Sequence, residues 1–451
     1  MNALWTSAEL EAATLGRASH SFAATGLCLD SRKLKPGDLY VAVKGDNRDG
    51  HDFVAAAFKA GAAAALVSRP VEKAGPLLEV AHTRRALEDL AMAARVRSNA
   101  AIVAVTGSAG KTTTKEMLKL AFGALGATHV SGASFNNHWG VPFSVAALPR
   151  DAAYAVFEIG MNHFGEIRAL VPFVRPQVVL ITAIAPAHLE FFGNCEAIAD
   201  AKSEIFEGLL PGGMALIPAD SPYAPRLIAR AKQHSVSNIL SFGSARGADA
   251  QLLSYEEGPD SIRIKADILG KPVEARVGAP GRHIAANALG ALLTVAAAGG
   301  DVLNAAAALK EFAALKGRGA RLKAGGVEII DESYNANPAS MEAALALLAQ
   351  APGRRVAVLG DMLELGPEGA ALHAGLKPAL AAADLVFLCG KLMHALWEAL
   401  PESRRTAYAP NAAELAPVVA AAVQPGDTVL VKGSNGSRMS AIIDALKAKG
   451  I

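Results

Sequence analysis

The run Thr106-Gly107-Ser108-Ala109-Gly110-Lys111-Thr112-Thr113 holds the residue types that grip a polyphosphate. Glycines let backbone N–H groups approach phosphate oxygens. Lys111 can reach the β- and γ-phosphates, and Thr112 can place its hydroxyl on Mg²⁺. The loop is shorter than the usual one, because Val105 stands where its first glycine would be. The alternative is a strand–turn–helix corner whose glycines serve only the turn. No Asn-Lys-x-Asp tetrad occurs, which removes a guanine-selective switch and leaves ATP as the expected nucleotide. Glu158, ending Ala155-Val-Phe-Glu, could hold Mg²⁺ beside this loop, or could be a strand-end glutamate in an ion pair. Asn136 and Asn137 are uncharged hydrogen-bonding groups suited to phosphates or substrate amides, or to a turn.

These residues need a scaffold. Ala101–Val105 reads as a buried strand, and Lys115 to Leu125 as the helix after the loop. Apolar runs at 154–159, 178–182 and 214–217 alternate with helical stretches, the pattern of parallel βαβ units. Residues 251–277 read as short, mostly antiparallel strands, and 284–299 as a buried alanine-rich helix. A third block repeats the rhythm with strands at 327–331, 355–360, 385–390 and 428–433. It predicts a second doubly wound sheet whose ligands sit at the C-terminal strand ends. The fold class is thus α/β, with three domains: a small α/β N-terminal domain over 1–97, a central P-loop-type domain with a mostly parallel sheet over 98–315, and a C-terminal Rossmann-like domain over 316–451.

Composition narrows the function. The 451 residues carry 44 Lys plus Arg against 42 Asp plus Glu, a near-neutral balance that argues against a nucleic-acid binder. Cys28, Cys195 and Cys389 are far apart and form no CxxC pair, which excludes a disulfide scaffold and a thiolate zinc site. Met1 to Gly16 lacks the basic start and apolar core of a signal peptide, and no stretch reads as a membrane span. The expectation is a cytoplasmic protein.

The phosphate loop, continuing as Thr-Thr-Thr-Lys-Glu-Met, resembles that of the Mur ligases, the ATP-dependent amide-forming enzymes of peptidoglycan precursor synthesis. Asp30-Ser31-Arg32 and Gly50-His-Asp-Phe53 resemble the uridine-nucleotide domain of that family. Phe135-Asn-Asn-His-Trp-Gly140, Glu158-Ile-Gly-Met161, Ala187-His-Leu-Glu190, Ala201-Lys-Ser-Glu-Ile205 and Gly281-Arg-His-Ile-Ala-Ala-Asn287 follow in family order. Asp331-Glu-Ser-Tyr-Asn-Ala-Asn-Pro338 and Leu359-Gly-Asp-Met-Leu-Glu-Leu-Gly366 resemble the branch that adds D-alanyl-D-alanine to a UDP-N-acetylmuramoyl tripeptide.

The resemblance implies an acyl-phosphate reaction and a role for each matching residue. Lys111, Glu158, His188, Lys202 and Arg318 would be catalytic. Thr112, Glu158, His188 and Lys202 would hold two Mg²⁺ ions, with Lys202 N6-carboxylated by CO₂. Thr106, Gly107, Ser108, Ala109, Gly110, Lys111, Thr112, Thr113, Asn287, Arg318 and Asp331 would bind ATP. Ser31, Arg32, Asn136, Asn137, Asn335, Asn337, Asp361 and Glu364 would contact UDP-tripeptide or dipeptide. Without the motifs, His188 reads as a turn residue, Lys202 as a solvated helix lysine and Arg318 as a surface arginine. A monomer is expected. The competing readings are another ligase of the superfamily, tripeptide-forming or folylpolyglutamate-synthase-like, and a nucleotide-dependent regulatory protein.

Overall fold

A computed structural model describes residues 3–45, 48–71, 75–132, 135–187, 189–258, 260–448 and 450. It is a three-domain α/β structure. The central sheet has nine strands in the spatial order Lys271–Val277, Ile262–Ile268, Ala250–Glu257, Asn238–Gly243, Met214–Pro218, Val178–Ile181, Ala101–Thr106, Tyr154–Glu158, Thr128–Val130. Pairing is parallel from Thr128–Val130 through Ala250–Glu257 and antiparallel among Ala250–Glu257, Ile262–Ile268 and Lys271–Val277. The β-branched run Ala101–Thr106 suits its place because a parallel strand is apolar on both faces. Val103 and Val105 pack with Met117, Phe122 and Leu289 of two helices, Lys111–Gly123 and Arg282–Ala297. Ile102 and Ala104 pack on the opposite layer with Ile167, Ile198 and Leu227.

The third sheet runs Ala320–Ala324, Val327–Glu332, Thr428–Lys432, Arg355–Gly360, Leu385–Cys389, Ala407–Ala409, all parallel except the first pair. Alternate residues of its strands fill two cores, one under the helix Pro338–Ala349 and one under Ala412–Ala422 and Ser440–Ala448. The N-terminal block carries a five-stranded sheet between Arg17 and Glu79. Its core includes Phe143 and Ala146 of the central domain, and the Trp5 indole N–H donates to the Ala146 carbonyl at 3.0 Å. Among the described residues no helix is long and apolar enough to cross a membrane.

The predicted strands at 101, 154, 178, 214, 327, 355, 385 and 428 are all present. The helix after the phosphate loop starts at Lys111, not Lys115, because Gly110 at φ 81° turns the chain straight into the first helical turn. The helix that carries Lys202 is α-helical over Cys195–Ser203 and tightens to a 3₁₀ turn at Glu204–Gly208. There the buried Glu204 carboxylate accepts from the Gly165 and Arg168 N–H groups at the start of the neighbouring helix. Strands Thr128–Val130, Asn238–Gly243, Ala320–Ala324 and Ala407–Ala409 were not expected; they are short or mixed in composition, with little apolar run to mark them.

Candidate active site

The phosphate loop lies at the C-terminal end of Ala101–Thr106, where ligands of open α/β sheets bind. Gly107 has φ +153°, and a Cβ there would sit 2.0 Å from the Thr182 hydroxyl. That hydroxyl reaches the carbonyls of Ala109 at 2.5 Å and Thr106 at 3.2 Å. Thr182, which the sequence reading passed over, therefore clamps the loop from the adjacent strand. Gly110 packs against the Asn287 amide, with 2.5 Å left for any Cβ. The buried Ser108 hydroxyl has no partner. A buried polar atom without a partner is expensive, and a phosphate oxygen would satisfy it.

Glu158 is the carboxylate of the site. It is 2% exposed, accepts from the Thr112 hydroxyl at 2.9 Å on one oxygen and from the Asn136 amide at 2.8 Å on the other. One carboxylate, one hydroxyl and phosphate oxygens form a donor set that suits Mg²⁺, which keeps several waters and needs no all-protein cage. Among the described residues no group of three or more His, Cys, Asp and Glu could hold a metal alone.

Two lysines and an arginine lie close to one another here. Crowding by the protein lowers the Lys111 pKa, the Glu158 carboxylate works against that, and the Arg318 guanidinium of the third domain lowers it further. Lys202 is 1% exposed, and burial drives its ammonium well below the usual lysine range, with the Lys111 charge pushing the same way. Lys111 donates to the Gly107 carbonyl at 2.6 Å, holding the side chain over the loop. The Lys111 ammonium and the Arg318 guanidinium beside the loop make a site that favours anions.

The remaining expected residues divide. Asn137 closes the turn that leads into the helix Gly140–Ala146: its oxygen accepts from the N–H groups of Trp139 and Gly140. Asn337 caps Pro338–Ala349 in a reciprocal capping box with Ser340. The fully buried Asp331 carboxylate accepts from the Gly317 N–H at 2.9 Å and the Ser333 hydroxyl at 2.6 Å, so in this arrangement it organises the domain junction. Arg318 stacks over Tyr334 at 4.1 Å. Asn335 is exposed, while Asp361 accepts from the Met393 N–H. The Glu364 carbonyl accepts from the Glu190 N–H at 3.1 Å, joining third and central domains. Ser31 and Arg32 lie in the turn after Gly26–Cys28, where Arg32 forks onto Asp30 and holds that carboxyl down at about 2. Thr113 is half-buried. His188 lies outside the described residues.

Comparison with known proteins agrees with this geometry. Family models match in three stretches: "Mur ligase family, catalytic domain" over 23–119, "Mur ligase middle domain" over 105–295, and "Mur ligase, glutamate ligase domain" over 317–435. The UDP-N-acetylmuramoyl-tripeptide--D-alanyl-D-alanine ligase of Rickettsia prowazekii is 34% identical, covering 98% of this chain and 99% of its own. That of Escherichia coli is 37% identical, covering 93% of each. A crystal structure of MurF from Acinetobacter baumannii superimposes with a TM-score of 0.86 at 33% identity, over 98% of this chain and 99% of the other. MurF ligase from Thermotoga maritima in complex with ADP gives 0.77 at 26% identity, over 94% and 97%. With three family models matched and relatives 34% and 37% identical over 98% and 93% of its length, this chain belongs to the Mur ligase family.

Proposed function

We propose that the protein joins D-alanyl-D-alanine to UDP-N-acetylmuramoyl-tripeptide in an ATP-dependent amide synthesis that yields the UDP-linked pentapeptide, ADP and phosphate. The observation that carries the chemistry is the Lys111 ammonium held over the phosphate loop beside the Thr112–Glu158 pair, with the Arg318 guanidinium close by. The choice of substrates rests on the near full-length relatives that carry that name.

A carboxylate does not condense with an amine at neutral pH, so it must first be activated. A terminal carboxylate oxygen of the tripeptide attacks the γ-phosphorus, and the bond to the β-phosphate oxygen breaks to release ADP. The dipeptide amine then attacks the acyl carbon and expels phosphate, losing a proton as the amide forms. No protein nucleophile is needed; positioning and charge neutralisation carry both steps. The backbone N–H groups of 107–112 and the Lys111 ammonium hold the β- and γ-phosphates. Arg318 brings a second charge from the third domain, and Asn136 keeps Glu158 oriented. Thr112, Glu158 and a carboxylated Lys202 would hold Mg²⁺, which neutralises phosphate charge; a second ion at His188 rests on the family motif alone. Lys202 is suited to carboxylation because only a neutral amine adds to CO₂, and burial favours the neutral form. Asn335, Asp361 and Glu364, near strand ends of the third domain, are proposed for the dipeptide, and Ser31 and Arg32 for the uridine end. A monomer suffices, since one chain supplies every group, and the substrates place the reaction in the cytoplasm.

The test is phosphate release across a substrate matrix of two UDP-tripeptides, ending in diaminopimelate or lysine, with several dipeptides. Turnover should require ATP, a UDP-tripeptide and D-Ala-D-Ala together. Turnover with single amino acids in place of the dipeptide would favour another ligase of the family, and hydrolysis without either peptide a regulatory protein.

A further inference from the structure

One buried charge close to the site has no part in the chemistry above. Lys115 stands one helical turn after Lys111 and Thr112, and its side chain is 0% exposed. Its ammonium donates to the Ser131 carbonyl at 2.8 Å and lies 3.1 Å from the Glu116 carboxylate. Burying an ammonium is costly, and a methionine would fill the same space without that cost. The charge must therefore serve its acceptor.

Ser131 leads back to the catalytic carboxylate. Strand Thr128–Val130 pairs with Tyr154–Glu158 only as far as Val156, with the Ser131 N–H adding one bond to the Val156 carbonyl. Beyond that the backbone ladder stops short of Glu158 on this side. The Ser131 hydroxyl replaces it, accepting from the Glu158 N–H at 3.1 Å. Ser131 also begins the segment that reaches Asn136, which holds Glu158 Oε1. Lys115 thus ties the helix carrying Thr112 to the residue that fixes the Glu158 backbone, so both oxygen donors share one anchor.

We propose that Lys115 is a positioning residue, acting through Ser131 to hold Glu158 at the right distance from Thr112 for the divalent cation. The inference rests on the phosphate-loop reading above. The test is the affinity of the full-length protein for ADP by calorimetry, with and without Mg²⁺, in wild type, K115M, S131A and the double variant. Loss of a group that orients a metal ligand typically costs about 10- to 100-fold in metal affinity. The Mg²⁺-dependent gain in ADP affinity should fall by at least about tenfold in each single variant. ADP affinity without metal should stay within about twofold, since the loop itself is untouched. The double variant should be no worse than the poorer single one, because both act along one path. A folded K115M protein with the wild-type Mg²⁺ gain would overturn the proposal, as would losses that add. If K115M does not fold, S131A decides: a wild-type gain overturns the proposal and a tenfold loss supports it. A wild type that shows no Mg²⁺-dependent ADP binding would instead overturn the phosphate-loop reading, and this one with it.

Discussion

The Thr112 hydroxyl donates to the Glu158 carboxylate across 2.9 Å, although the two are 46 residues apart in sequence. One residue lies in the first turn of the helix after the phosphate loop and the other ends the neighbouring parallel strand. The parallel register sets Glu158 opposite Val105, one residue before the loop begins at Thr106. Strand pairing, rather than loop shape, therefore brings the two oxygen donors together.

Replacing Lys111 with alanine removes the ammonium held over the loop by the Gly107 carbonyl. Losing one preorganised charge-stabilising group typically costs roughly 10²–10³-fold in turnover. Ligation by Lys111→Ala should fall at least that far while circular dichroism stays wild-type. A folded variant with near wild-type phosphate release would remove the loop from the chemistry.

Lys202 gives a sharper contrast. Lys202→Ala should be nearly inactive yet bind UDP-tripeptide normally, and acetate or formate should restore part of its activity by supplying the missing oxygens. Lys202→Arg should be no better than alanine, since it keeps a positive charge and cannot carry CO₂. The depressed pKa also sets a sign for stability in CO₂-free buffer. The unfolded chain binds the lysine proton up to about pH 10.4 and the folded chain binds less of it, so stability should rise with pH through that window. Denaturant midpoints against pH for wild type and Lys202→Met test this: the slope should be shallower in the variant. An active Lys202→Arg enzyme would contradict the assignment.

The phosphate loop and Glu158 were legible in the sequence because their signals are local: glycines and a lysine in one turn, a carboxylate closing a β-branched run. Lys115, Ser131 and Thr182 were not, because they act on backbone carbonyls and N–H groups of distant strands, which no spacing reveals. Asn137 and Asn337 show a different limit. Asparagine is equally a ligand, a turn residue and a helix cap; here the Asn337 oxygen caps Pro338–Ala349 and the Asn137 oxygen closes the turn before Gly140–Ala146. Asp331, expected at the nucleotide, also accepts from the Gly317 N–H 14 residues back, a contact that no local spacing reveals.

Asn337 can be tested on that basis. Asn337→Ala should lower stability by about 1 kcal/mol, the usual value of an N-cap, and leave the KM for D-Ala-D-Ala within about twofold. Thermal melts and dipeptide titrations separate the roles; a large KM change at unchanged stability would return Asn337 to the dipeptide site.

Arg318 already lowers the Lys111 pKa across the domain boundary, and the loop that carries it turns at Gly317, φ +75°. A Cβ at Gly317 would meet the Tyr334 Cβ at 2.9 Å. Gly317→Ala should therefore cost about 1–2 kcal/mol and disturb the seating of the third domain. Low-angle scattering of wild type should show a more compact particle with a non-hydrolysable ATP analogue plus UDP-tripeptide than without ligands, as expected where closure excludes water. Gly317→Ala should show less compaction, and an unchanged radius in wild type would count against closure.

Transfer of the γ-phosphate to the tripeptide carboxylate is tested most directly by following that carboxylate's oxygen. UDP-tripeptide labelled with ¹⁸O in both terminal carboxylate oxygens is turned over with ATP and D-Ala-D-Ala, and the released phosphate is examined by mass spectrometry. An acyl phosphate passes one carboxylate oxygen to phosphorus when the amine expels phosphate, so each phosphate should carry one ¹⁸O. Unlabelled phosphate, or label appearing in AMP, would contradict the mechanism.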